Sequence, residues 1–503
     1  MASSSHPELT RLANTVLQPG FVGTTAPDWV RRRIADGLGS VVLFGRNIET
    51  PEQVAALTAE LRAENPELIV AIDEEAGDVT RLDVRTGASW PGNLALGAID
   101  DTDLTEQVAR DIGRALRAIG VSLDYAPSAD VNSNATNPVI GVRSFGAETD
   151  LVARHTGAWV RGLQSAGVAA CAKHFPGHGD TNVDSHHDLP NFLADAETIA
   201  RVALPPFTAA IEAGARTVMT AHMLTPAYDP ELPATLSPAI INNILRDQLG
   251  FTGLVVTDGI EMGAVSRKYG ITGATVKAVA AGADAVCVGG ESAEESTTVD
   301  LAQALVDAVL DGTLPQERLA DAADRVQKFA SWSADLARQA DTLTDGSDIG
   351  LVAARRAVRV RRKDGAAGLP LAGAPHVVEL SPTMSLAIDG RTPWGVADPL
   401  RALRPDTTSV RITESELAGA ADLLDRVALG PANGRELVIV VRDAARHGWM
   451  SQALAGLVGR RPDALVVEMG VPADDHFGAA HLATFGATRV SGIAVAEVLT
   501  GAV

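Results

Sequence analysis

Residues 168–190 read VAACAKHFPGHGDTNVDSHHDLP. The opening run, Val168–Cys171, is apolar and strand-like. From Lys173 to Pro190 there follow four histidines, three aspartates, a lysine and two glycines, in a chain that has eleven histidines in all. Burying an unpaired charge is costly, so core packing has no use for such a block. A strand that runs into a Gly-punctuated cluster of titratable groups reads as the rim of an active site. A polar loop that is merely solvated needs neither the Phe-Pro-Gly turn nor so large a share of the histidines.

Outward from this stretch the same unit recurs. Short β-branched or apolar runs stand at 14–17, 40–44, 68–72, 121–125, 168–171, 217–220, 254–257 and 283–288, each followed by a Gly-containing loop and a helical pattern. In 103–120, Leu104, Val108, Ile112, Leu116 and Ile119 recur at spacings of four and three, and Gly120 is placed to end the helix. Eight such units predict an α/β fold with an N-terminal (β/α)8 TIM-type barrel over 1–338; a doubly wound open sheet is the alternative. Chemistry falls on one side of these runs. Asp73 follows the third, Arg143 lies in the loop after the fourth, Lys173 and His174 follow the fifth, His222 the sixth and Asp258 the seventh. In a parallel barrel those are C-terminal strand ends, which converge on one mouth.

The pattern dissolves in QADTLTDGSDIG, and 339–351 is expected to be a linker. Apolar runs at 377–380, 437–441 and 465–469, separated by Gly, Ala and Pro, then predict a C-terminal αβα-sandwich domain over 352–503. With 503 residues, two domains are the default. Apolar residues make up 46% and charged residues 21%, an ordinary globular balance without a run long enough to span a membrane. The start, MASSSHPELTRLANTV, lacks a secretory pattern, and two cysteines make no disulfide framework, so a cytoplasmic setting is expected. A net charge of −21 argues against nucleic acid as partner. The expected state is a monomer or weak homo-oligomer.

Five motifs, in order along the chain, give the reading a family. AIDEEAGDVTRL (71–82), LDYAPSADVN (123–132), VIGVRSFG (139–146), KHFPGHGDTNVDSH (173–186) and VVTDGIEM (255–262) resemble family 3 glycoside hydrolases, nearest to the β-N-acetylglucosaminidase branch. The tail LATFGATRVSGIAVAEVLTG (482–501) resembles the end of that family's second domain. The resemblance implies a retaining exo-β-N-acetylglucosaminidase acting on peptidoglycan fragments or chitooligosaccharides, with a small GlcNAc-containing carbohydrate as its partner and no cofactor.

Retaining hydrolysis needs a carboxylate nucleophile and a proton donor flanking the glycosidic oxygen. Asp258 sits at a strand end in a Thr-Asp-Gly turn; its residue type alone allows a nucleophile or a helix N-cap, and the resemblance implies the nucleophile. The resemblance likewise implies that Asp184 and His186 form the acid/base pair, an imidazole titrating near neutrality and oriented by a carboxylate. It assigns Asp73, Arg81, Arg143, Lys173 and His174 to contacts with sugar hydroxyls; for the two arginines a rim ion pair is the plainer reading. His222 is either a group that orients the site or a satisfied core histidine. No metal is expected, because the histidine spacings lack an i, i+4 pair or an HExxH pattern. One departure stands out: the chain has Ala76-Gly77-Asp78-Val79 where the family usually carries Gly-Gly-Arg-Val, which is expected to alter the charge at the rim. Two other functions use the same residues, a phosphorylase that yields GlcNAc-1-phosphate and an inactive sugar-binding protein.

Overall fold

The structure, a computed structural model, describes residues 6–185, 188–340, 347–363, 369–420, 422–473 and 477–502. The chain divides into two compact units. One comprises Met1–Glu75, Thr102–Ile140 and Ser144–Gly346; the other comprises Ala76–Asp101, Gly141–Arg143 and Ser347–Val503. Two loop segments that lie among the first eight strand runs in sequence therefore group with the C-terminal residues.

The first unit is built from β1 (Leu17–Pro19), β2 (Ser40–Leu43), β3 (Ile69–Ile72), β4 (Leu123–Asp124), β5 (Ala169–Phe175), β6 (Thr217–Thr220), β9 (Leu254–Thr257) and β10 (Val286–Val288), with a small antiparallel ribbon of β7 (Leu224–Thr225) and β8 (Asp229–Pro233) after β6. β2, β3, β4, β5, β6 and β9 pair in that order in one parallel sheet, and β1 pairs in parallel with β10. Thr257 N–H donates to Ala285 O at 3.0 Å, and the Ser40 hydroxyl donates to Leu17 O at 3.3 Å. Alternate strand residues, among them Ile69, Ala71, Leu123, Ala169, Cys171, Leu254 and Val256, share one buried cluster with Val326 and Phe329 of the helix Gln316–Gln339. Both cysteines lie in this cluster as free thiols, and burial pushes their pKa well up.

Two boundaries differ from the sequence reading. The first run was expected at 14–17, but Asn14 and Thr15 close the helix Pro7–Thr15 and the strand begins at Leu17. Asn14 donates to Asp36 O and Thr15 to Gly37 O, so these two polar side chains tie off the helix end. The fifth run continues past Cys171 to Phe175, which takes Lys173 and His174 into the strand. The helix read at 103–120 spans Thr102–Ala118, and Gly120 turns the chain with φ +80°.

The second unit holds β11 (Arg359–Arg362), β12 (His376–Ser381), β13 (Thr408–Thr413), β14 (Leu437–Val441), β15 (Leu465–Glu468) and β16 (Ala480–Ala483), in the order β11-β16-β15-β14-β12-β13, parallel except for β11. Successive residues of β14 alternate between two buried clusters: Val438 and Val440 join Val495 and Leu499, whereas Ile439 and Val441 join Leu454 and Leu457. The sheet is thus buried on both faces, as continuous apolar strands require. Among the described residues no helix is long and apolar enough to cross a membrane.

Candidate active site

The chemistry of the first unit gathers at the C-terminal ends of β3, β4, β5, β6 and β9. Lys173, inside β5, is among the largest fully buried side chains in the protein. Its ammonium meets Asp73 Oδ1 at 2.6 Å and Glu75 Oε1 at 2.7 Å, both just beyond β3. A buried lysine persists only when paired, which explains why the strand does not stop at Cys171. Glu75 is 3% exposed on its side chain, whereas Asp73 keeps 23%. Below them Asp124 takes the Glu74 N–H at 2.9 Å, and burial raises its pKa well above the usual carboxylate range.

A second network centres on Asp130, which is fully buried. Its Oδ2 meets His174 Nδ1 at 2.7 Å and accepts from the Ser128 hydroxyl at 2.9 Å; its Oδ1 accepts the His178 N–H at 2.6 Å and the His174 N–H at 3.2 Å. Burial acts to raise the Asp130 pKa, but the charge and hydrogen bonds of His174 and His178 outweigh it and the net shift is downward. The carboxylate therefore keeps the proton of His174 on Nδ1 and fixes the ring. His178 is held in turn by Thr181, whose hydroxyl lies 2.9 Å from Nδ1, and Asn137 donates to His178 O. The glycines of this loop serve packing: a Cβ at Gly179 would stand 1.8 Å from Val131 O, and Gly177 adopts φ +120° with its N–H on His174 O. The loop is thus pinned as far as Thr181.

Asp258 directly follows β9 and is half-buried. Its Oδ1 accepts the Gly259 N–H at 2.8 Å, and its own N–H donates to Thr220 O. His222, fully buried, bridges this turn to the 3-10 turn Ala234–Leu236 that follows the ribbon: Nε2 lies 2.9 Å from Gly259 O and Nδ1 lies 2.8 Å from the Thr235 hydroxyl. A carbonyl only accepts, so Nε2 carries a hydrogen. Both nitrogens are engaged in holding the turn, which makes His222 an orienting group for the Asp258 turn. The Ala264 N–H donates to Ser185 O at 3.3 Å, which seats the Asp184–Ser185 stretch at the start of the helix after Asp258. His186 and its neighbour His187 lie outside the described residues, as does the acidic stretch 474–476. Among the described residues no three His, Cys, Asp or Glu side chains are grouped to hold a metal ion.

A profile described as "Glycosyl hydrolase family 3 N terminal domain" matches residues 23–329. The chain belongs to glycoside hydrolase family 3. Among relatives, it is 34% identical over 374 residues to beta-hexosaminidase A of Pseudoalteromonas piscicida, covering 68% of this chain and 62% of that protein. It is 38% identical over 290 residues to a beta-hexosaminidase of Nitrosomonas eutropha, covering 55% of this chain and 82% of the relative. Among solved structures, a glycoside hydrolase family 3 beta-N-acetylglucosaminidase from Paenibacillus sp. str. FPU-7 superposes with a TM-score of 0.84 at 34% identity, over 98% of this chain and 96% of that one.

Within this family 3 chain, Arg81 and Arg143 belong to the second unit. Arg81 Nη1 donates to Ala387 O at 3.2 Å; Arg143 is buried, and its carbonyl accepts from Asn93. Asp78 corrects the expectation of an altered rim charge. It is fully buried in an ion pair with Arg442 and accepts the Ala487 N–H at 2.7 Å, so its charge is neutralised inside the second unit. Arg442 in turn lies 5.5 Å from the Trp394 ring, in cation–π range. Glu75 and Asp130 were missed in the sequence although both stand inside quoted motifs, AIDEEAGDVTRL and LDYAPSADVN. The signal that finds them is the buried cation or imidazole each one serves.

Proposed function

We propose that the chain is a retaining exo-β-N-acetylglucosaminidase that removes terminal GlcNAc from peptidoglycan fragments or chitooligosaccharides. The carrying observation is the half-buried Asp258 carboxylate at the end of β9, oriented by its own Gly259 N–H and by the His222 bridge to Gly259 O. Family membership supports the reading, as do relatives described as beta-hexosaminidases and as a beta-N-acetylglucosaminidase. The eight parallel strands are read as one (β/α)8 barrel and the doubly covered sheet of the second unit as an αβα sandwich.

In this reading Asp258 attacks the anomeric carbon from one face, the C1–O bond breaks, and a covalent glycosyl-enzyme forms. His186, oriented by Asp184, gives its proton to the departing oxygen and then takes one from the incoming water. Asp73, Lys173 and His174 hold the sugar hydroxyls by charge-assisted hydrogen bonds. The Asp73–Lys173–Glu75 set and the Asp130–His174 pair preorganise these groups, so little reorganisation accompanies the reaction. Arg81 and Arg143 are assigned to sugar contacts by the resemblance of their motifs. An imidazole donor, unlike a second carboxylate, does not repel phosphate, so phosphate is the competing acceptor.

The test compares p-nitrophenyl GlcNAc with p-nitrophenyl glucoside and analyses products in phosphate buffer. Release from the GlcNAc glycoside with free GlcNAc as product supports the reading. Preference for the glucoside sinks it, and GlcNAc-1-phosphate replaces hydrolysis by phosphorolysis.

A further inference from the structure

Two side chains outside the set above grip one backbone turn from opposite sides. Arg46 follows β2, Glu261 stands three residues after Asp258, and between them lies the Gly289–Glu291 turn that ends β10. Arg46 donates through Nη1 to Gly290 O at 2.7 Å, through Nη2 to Gly289 O, and through Nε to Phe21 O at 2.9 Å. From the other side, Glu261 Oε1 accepts N–H groups from Gly289 at 2.8 Å, from Gly290, and from Glu291 at 3.3 Å. The peptide groups of one turn are therefore fixed by a cation at their carbonyls and an anion at their amides. The turn has nowhere to retreat: Gly289 adopts φ +111°, and a Cβ there would stand 2.4 Å from Gly20 N.

The second carboxyl oxygen is informative. Glu261 Oε2 is shut off from solvent and has no hydrogen-bond partner among the described residues. Leaving a buried acceptor unmet costs about 1–3 kcal/mol, and the three amides on Oε1 offset that cost. Burial raises its pKa, and the backbone N–H groups of Gly289, Gly290 and Glu291 act to lower it.

We propose that Glu261, with Arg46 on the far side of the turn, is a positioning residue for Asp258: it ties the Asp258–Met262 turn to the end of β10 and so fixes where the carboxylate stands. The inference rests on Asp258 as nucleophile. Its chemistry makes a specific demand. Glutamine keeps an oxygen for the three amides and places its NH2 where Oε2 has no donor to lose, whereas alanine removes the grip.

The test measures kcat, KM and thermal midpoint for the wild type, Glu261→Gln, Glu261→Asp and Glu261→Ala on p-nitrophenyl GlcNAc. The expected result is a loss of about 100-fold in kcat for the alanine variant with KM within about threefold, since small misplacements of reacting groups cost about that much. Glutamine should restore kcat to within about threefold of wild type, and aspartate, one methylene short, should fall between. Wild-type kcat in the alanine variant overturns the proposal, as does equal loss in the glutamine and alanine variants. If the alanine variant does not fold, lower kcat in Glu261→Asp than in Glu261→Gln still supports the proposal, and the reverse order overturns it. A wild type that cleaves only the glucoside would sink the substrate reading, and the same comparison then runs on the glucoside. Full activity in Asp258→Ala would sink both.

Discussion

Each of the two units of this chain holds buried ion pairs, and the two sets are finished differently. In the second unit two buried carboxylates, Asp78 and Glu379, are closed off. Asp78 is met by Arg442 and the Ala487 N–H; Glu379 Oε2 accepts from Nε and Nη2 of Arg411, and its Oε1 accepts the N–H groups of Val396 and Ala397. In the first unit Lys173 is shared between two carboxylates, one of which, Asp73, is partly exposed, and Asp258 stays half-buried. Buried charge by itself therefore does not mark a site. The mark is a braced network with carboxylates, here Asp73 and Asp258, that stay partly exposed.

The sharpest way to break the comparison is at Asp258. Asp258→Ala should lower turnover by about 10⁴-fold or more, in line with removal of other covalent nucleophiles, while the thermal midpoint stays near wild type because the side chain is half-buried. Retained turnover in a steady-state assay would contradict this.

Charge removal tests whether the two ion-pair sets differ in purpose. Lys173→Met strands Asp73 and Glu75, and Arg442→Met strands Asp78; each should cost about 3–5 kcal/mol in chemical denaturation. Adding Asp78→Asn to Arg442→Met should restore most of that stability. Adding Glu75→Gln to Lys173→Met should restore part of that stability, since Asp73 stays unpaired from the lysine, without restoring turnover. Turnover regained in the Lys173→Met, Glu75→Gln double variant would place that lysine outside the sugar contacts.

Two smaller effects follow from titration. The folded-state pKa of Asp130 lies below its unfolded value, so its contribution is present above the ordinary carboxylate range and is lost as pH falls through the folded value. Asp130→Asn should flatten the acid limb of the midpoint-versus-pH curve. Glu468 behaves with the opposite sign. Burial first, and then the charge of Asp443, push its carboxyl up to about 8 against three backbone N–H groups that act to lower it. Between the ordinary carboxylate range and about 8 the folded chain holds a proton that the unfolded chain releases, so stability falls as pH rises through that window. Glu468→Gln should reduce the difference in midpoint between pH 5 and pH 8; an unchanged difference would assign the slope to other groups.

The strands of the first unit were legible because β-branched runs keep reappearing just before chemistry, and Asp73, His222 and Asp258 were placed correctly after β3, β6 and β9. Lys173 and His174 misled the boundary of β5. A charged residue normally ends a buried strand, and the countercharges that reverse this come from Asp73, 100 residues upstream, and from Asp130, 44 residues upstream. The same distance problem hid the bracing of Asp78, whose partner Arg442 is 364 residues away. In the second unit β13 was missed because TSVRIT is largely exposed on an edge, and β11, Arg359–Arg362, is exposed along its length and basic. Neither looks like an apolar core strand. Local pattern thus carried the strand ends, and long-range pairing carried what braces them.

The most direct measurement is to trap the glycosyl-enzyme with a fluorinated GlcNAc analogue and map the labelled peptide by mass spectrometry. The account predicts one sugar per chain, on the peptide that contains Asp258. A label on any other carboxylate, or none while the enzyme still turns over GlcNAc glycosides, would contradict it.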